Sequence, residues 1–196
     1  MAGIPLAMWL SRRHPMVRIV IRSAAAAALI GLAAIATVSA HAAPATQDSL
    51  VARGKYLATT GLCNDYHTPG HFLGKPYQER YLGGSDVGFE LPGLGVFVGR
   101  NITPDDETGI GKWSEDEIVT AMQTGVRPDG RVLAPIMPWH AFAELTKEDV
   151  TSLARFLKSL KPVKNQVPGP FGPGETVPVF MFRILPPGAV AADAPK

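Results

Sequence analysis

Apolar positions along this chain fall into four groupings, and three of them have a helical period. The exception comes first: an unbroken apolar run from Ala24 to Val38, preceded by Arg12, Arg13, Arg18 and Arg22 and followed by Ala40-His41-Ala42. Basic residues, a short apolar stretch and small residues at an A-x-A site are the layout of an export signal, which places residues 1–42 apart from the folded domain. At 15 residues the run is shorter than the roughly 20 that span a bilayer, so cleavage is expected, with an uncleaved membrane anchor as the alternative. The positive-inside pattern fits both.

The first helical pattern starts at Asp48 or Ser49 as N-cap and carries Leu50, Val51, Tyr56 and Leu57 on one face up to Gly61. Gly54 lies inside it, at a cost of about 1 kcal/mol relative to alanine, which points to close contact with another helix. The second pattern opens on Ser114-Glu115-Asp116-Glu117, a capping box. It continues through Ile118, Val119, Ala121 and Met122 and stops at Gly125. The third is the most regular, with Thr146 to Asp149 opening it and Val150, Leu153, Ala154 and Leu157 at i, i+3, i+4 and i+7, before Pro162 ends it. Between the first and second helices, eight glycines from Gly70 to Arg100 predict a long wrapped loop with at most a short strand at Gly95–Gly99.

Composition changes the picture in two ways. The formal charge of +2, from 19 Lys and Arg against 17 Asp and Glu, becomes −2 without residues 1–42, which hold four arginines and no acids. The basic pI of about 8.8 thus belongs to the leader, and a nucleic-acid-binding role, which needs a basic patch, is excluded. Second, Gly 20 and Pro 18 make up about a fifth of the residues, above the usual eighth or so. A chain this rich in loops needs an anchor.

The anchor is suggested by Cys63-Asn64-Asp65-Tyr66-His67, a C-x-x-C-H haem-attachment motif with tyrosine where the second cysteine belongs. In the intact motif two thiols bond the haem vinyl groups and the histidine ligates iron. Here a single thioether is available, since Cys63 is the one cysteine of the chain. Met137, set between Pro135 and Pro138, sits in a loop stiffened by two fixed φ angles and is suited to be the second iron ligand. Trp113 and Trp139 are placed to pack near the ring. His71 and His140 are alternative ligands, with exposed surface positions the simpler reading. A thiolate–imidazolium pair from Cys63 and His67, four residues apart, is the enzymatic alternative, though no oxyanion donor motif accompanies it.

The stretch from Arg53-Gly54-Lys55-Tyr56-Leu57-Ala58 through Thr68-Pro69 resembles the start of a bacterial class I cytochrome c. Asn101-Ile102-Thr103-Pro104-Asp105 through Trp113-Ser114, Gly125-Val126-Arg127-Pro128-Asp129-Gly130 and Met137-Pro138-Trp139 are similar to the cytochrome c subunits of membrane-bound alcohol and sugar dehydrogenases. Such subunits typically carry three domains of this kind, and this chain has one. The resemblance implies an all-α class I cytochrome c domain over residues 48–162, with long Gly/Pro-rich loops wrapping the haem and a Pro/Gly-rich extension over 163–196. It implies His67 and Met137 as the iron ligands, and Cys63, Tyr66 and Trp139 as further residues of the cofactor site.

The expected role is a one-electron carrier in the periplasm of a Gram-negative bacterium, either free or anchored to the membrane by the N-terminal segment. Its expected partners are a dehydrogenase subunit and a respiratory-chain acceptor. Tyr66 leaves three outcomes open: haem held by one thioether, haem held noncovalently, or a haem-free binding module. A haem peroxidase is a fourth reading, which an intact Met137 loop disfavours.

Overall fold

The computed structural model describes residues 46–184 and Pro187. The export signal read over 1–42 and the end of the chain from Gly188 lie outside the described residues. Among the described residues no helix is long and apolar enough to cross a membrane.

Five helices and a three-stranded sheet make up the fold. Helix α1 (Gln47–Thr60) is capped by the Thr46 side chain, which accepts from the Ser49 N–H, so the helix begins two residues earlier than its sequence signal suggested. It crosses α5 (Lys147–Ser159), whose apolar stripe buries Val150, Leu153 and Ala154 completely. Gly54 is the crossing point: a Cβ there would stand 2.0 Å from the Ser152 carbonyl oxygen and 2.6 Å from Phe156 Cβ. Arg53 donates to Asp149 at 2.8 Å across the same crossing. Helix α3 (Glu115–Thr124) opens with the expected capping box and ends at Gly125 in the left-handed region, φ 73°. Two short helices complete the set, α2 (Cys63–His67) and α4 (Trp139–Phe142).

The sheet overturns the all-α expectation. Strands β1 (Val87–Leu91) and β2 (Gly95–Val98) form an antiparallel hairpin with Gly88 opposite Val98 and Leu91 opposite Gly95. Strand β3 (Phe180–Arg183) lies parallel to β1 on its other side, giving the order β2-β1-β3. The physical reason is that glycine-rich backbone is not confined to loops. Gly88 is tolerated in β1 because Val96 covers the position a side chain would take, 2.5 Å from its Cβ site. A strand partner from the far end of the chain satisfies the other edge, and no local signal announces a pairing across some ninety residues.

The segment after α5 packs on the domain as well. Phe171 and Val96 exchange backbone hydrogen bonds of 2.9 and 3.0 Å, Val167 is buried, and Asn165 donates to the Gly83 carbonyl at 2.7 Å. Together the hairpin and this segment wall one side of the space between α2, α3 and α5.

Candidate functional site: a cavity between Cys63–His67 and the Met137 loop

After Gly61 ends α1, Leu62 takes a left-handed conformation (φ 58°) and starts α2 in a new direction. This one-turn helix places Cys63, Tyr66 and His67 on a cavity of about 690 Å³, within the range of cofactor sites. The segment is tightly supported. The His67 carbonyl accepts from Gly84 N–H at 2.7 Å, and Thr68, fully buried, accepts from Leu82 N–H at 2.9 Å. Gly99 approaches the Tyr66 carbonyl so closely that a Cβ would lie 1.7 Å from it, so only glycine fits there.

His67 is buried, and its Nδ1 donates to the Arg100 carbonyl at 2.7 Å. That bond sets the tautomer: the proton resides on Nδ1, and Nε2 carries the lone pair. Burial lowers the imidazole pKa, with the Arg100 carbonyl opposing, so the ring is a neutral ligand at neutral pH. The Cys63 thiol is pushed up to about 11 by burial. Both groups are therefore uncharged, and the thiolate–imidazolium pair has no support in this geometry.

Met137 lines the same cavity as His67. Its loop is fixed by two backbone bonds, Met137 N–H to the Ala134 carbonyl at 2.9 Å and Trp139 N–H to the Met137 carbonyl at 2.8 Å. Apolar walls come from Ile118, Ala121 and Met122 of α3 and from Leu153 and Leu157 of α5. Trp113 is on the lining and Trp139 is not. The Trp139 ring lies instead over Gly125, 2.7 Å from where a Cβ would project, and so ties the Met137 loop to the end of α3. His71 and His140 are also away from the lining: His71 pairs with Asp65 at 3.2 Å, and His140 is exposed.

Tyr66 occupies the position of the missing cysteine and turns its ring toward the sheet. It packs on Phe89 of β1 (centroids 5.3 Å apart) and on Phe72 (5.7 Å), and both of these contact Phe182 of β3. The tyrosine thus has a packing partner set that cysteine would not fill. Sequence reasoning missed three other lining residues, Arg100, Arg127 and Arg131. Their basic character was visible, but their convergence was not.

The residues present fit an iron porphyrin: a large apolar cavity, a neutral imidazole with its Nε2 free of hydrogen bonds among the described residues, a fixed thioether, and cations on the rim. Fold and site define a cytochrome-type haem-protein scaffold. No family model matches the chain. Curated relatives do: the chain is 37% identical over 145 residues to the cytochrome c subunit of the quinone alcohol dehydrogenase of Gluconobacter oxydans (strain 621H), covering 74% of this chain and 28% of that protein. It is 36% identical to the fructose dehydrogenase cytochrome subunit of Gluconobacter japonicus, over 62% of this chain and 24% of that one. The gluconate 2-dehydrogenase cytochrome c subunit of Pantoea cypripedii is likewise 36% identical, over 59% and 24%. The chain belongs with the cytochrome c subunits of these dehydrogenases, as a homologue of about a quarter of their length. These relatives are named as cytochrome subunits, not as the subunits that oxidise the alcohol or sugar.

Proposed function

We propose that this protein is a one-electron carrier of cytochrome c type, working in the periplasm beside a dehydrogenase and passing electrons to a respiratory-chain acceptor. Bound haem supplies reversible one-electron transfer, and the protein supplies the ligands, the dry pocket and the charge around it. The observation that carries the reading is His67: a buried imidazole whose Nδ1 is committed to the Arg100 carbonyl at 2.7 Å, on a cavity that also presents Met137.

In this reading His67 and Met137 are the two iron ligands. A neutral thioether favours the reduced state and raises the potential relative to two histidines. Cys63 forms at most one thioether, because the phenol of Tyr66 does not add to a vinyl group as a thiol does. Ile118, Met122, Leu153 and Leu157 keep water from the porphyrin faces. The relatives support a dehydrogenase as electron donor. An N-terminal anchor in the membrane would hold the carrier near it.

Expression in a host with the periplasmic attachment machinery tests this, with a haem-stained denaturing gel read beside a pyridine spectrum. Haem retained on the denatured chain, with the band position of a single thioether, is the expected result. Haem lost on denaturation would establish a noncovalent site with the same ligands, and no haem in either state would refute the carrier role.

A further inference from the structure

Three arginines converge on the cavity, more positive charge than the surrounding carboxylates balance. Arg100, Arg127 and Arg131 all line it. Arg100 is half-buried and gives its terminal nitrogens to the Val167 and Gly169 carbonyls, which fixes the guanidinium without neutralising it. Arg127 stands 5.6 Å from the Trp113 ring and reaches the Asp129 carboxylate at 3.3 Å. Arg131 bonds the same carboxylate at 2.7 Å. Glu107, the one acid among the described lining residues, is already paired with Lys164 at 2.6 Å.

One carboxylate, Asp129, therefore serves three guanidinium groups, and two positive charges are left over. Two further facts show that the excess is felt. The buried Nε of Arg127 has no hydrogen-bond partner, a state that buried donors rarely keep without a ligand to receive them. Arg100 has its pKa lowered by burial and then by the charges of Arg127 and Arg131. A ligand bringing two carboxylates into this end of the cavity would match the charge and accept from the orphaned donor. Guanidinium groups suit that task through their fixed planar array of N–H donors.

We propose that Arg100, Arg127 and Arg131 form a dicarboxylate subsite that takes the two propionates of the porphyrin, with Arg127 Nε as its principal unused donor. This rests on the haem reading above and adds to it a consequence particular to this chain. Where Tyr66 replaces the second cysteine, this ionic clamp, together with His67 and Met137, takes over retention of the porphyrin that a second covalent bond would otherwise provide.

The test uses the full haem-free chain in mild detergent, titrated with ferric mesoporphyrin IX and with its dimethyl ester. Neither compound has vinyl groups, so Cys63 forms no bond to either, and only the ester lacks propionate charge. Binding is followed by the Soret band and by quenching of tryptophan fluorescence. The diacid is expected to bind more tightly than the ester by roughly tenfold or more, the size of one charge-assisted hydrogen bond. Arg127→Gln should remove most of that preference, while Arg127→Lys, which keeps the charge and loses the Nε donor, should keep part of it. Equal affinity for diacid and ester, or a preference unchanged in Arg127→Gln, overturns the subsite while leaving the haem reading intact. Failure of both porphyrins to bind overturns both. The comparison of diacid with ester in the unaltered protein stands even if a variant does not fold.

Discussion

Replacing Gly54 by alanine should destabilise the domain, although by helix propensity alone it would do the opposite. Alanine in place of a mid-helix glycine is worth about 1 kcal/mol to an isolated helix. At this position the added methyl would stand 2.0 Å from the Ser152 carbonyl oxygen and 2.6 Å from Phe156 Cβ, against 3.4–4 Å for ordinary contact. Neither atom is the end of a flexible side chain, so α1 and α5 must part by more than an ångström. That separation opens the contact between Ala58 and the stripe of Val150, Leu153 and Ala154, all at 0% exposure. Overpacking of this kind costs about 1–3 kcal/mol, and a rigid backbone neighbour places it at or beyond the top of that range. After the propensity gain the net loss is about 2 kcal/mol, equivalent to a fall in Tm of about 5–10 °C for a domain of this size. Thermal unfolding by circular dichroism and urea unfolding by tryptophan fluorescence measure it. A lower midpoint with unchanged m-value is expected. A variant as stable as the parent, or more stable, would show that the two helices do not cross at this residue.

Tyr66→Cys restores the two-cysteine motif and removes the ring that packs on Phe89 and Phe72. The haem-free chain should lose about 1–3 kcal/mol by urea titration, while chain matured with haem should show the pyridine spectrum of two thioethers. Met137→Leu keeps the volume and removes the thioether, so the reduction potential should fall, as read by redox titration; an unchanged potential would assign the ligand elsewhere. In the haem-free chain His67 has a folded pKa lowered by burial, below an unfolded value of about 6.5. The unfolded state therefore binds more protons as pH falls. Stability from this group is complete above about 6.5 and is lost progressively on acidification toward the folded value. Urea midpoints at neutral and mildly acidic pH should show that decline, and His67→Gln should flatten it. Equal slopes for the two proteins would contradict a buried neutral imidazole.

What could be read from the chain was what neighbouring residues decide. The capping box at Ser114 and Glu117, the left-handed stop at Gly125 and the apolar stripe of α5 all depend on groups within a turn or two of one another, so the sequence contains the whole interaction. The Cys63 to His67 spacing is local in the same sense, and α2 places both residues on one cavity. The meaning of Gly54 lay between the two cases: a helical glycine signals a close approach, but only the structure names Ser152 and Phe156 as what it approaches.

Tertiary structure decided everything that joins distant segments. Strand β3 pairs with β1 across the length of the domain, and residues 70–100, rich in glycine, became a hairpin because Val96 and Phe171 supplied the cover and the hydrogen bonds. Trp139 went to brace Gly125 and left the cavity lining to Trp113. Tyr66, a defect when read as one letter of a motif, became the centre of an aromatic cluster completed by β1 and β3. Arg100 meets Arg127 and Arg131 through the folding of a loop onto the end of α3. Local preferences act within a few residues along the chain, whereas packing, pairing and charge act between any atoms the fold brings into contact. The chain alone therefore specified the helices and the reactive pair Cys63 and His67, and the fold specified what surrounds them.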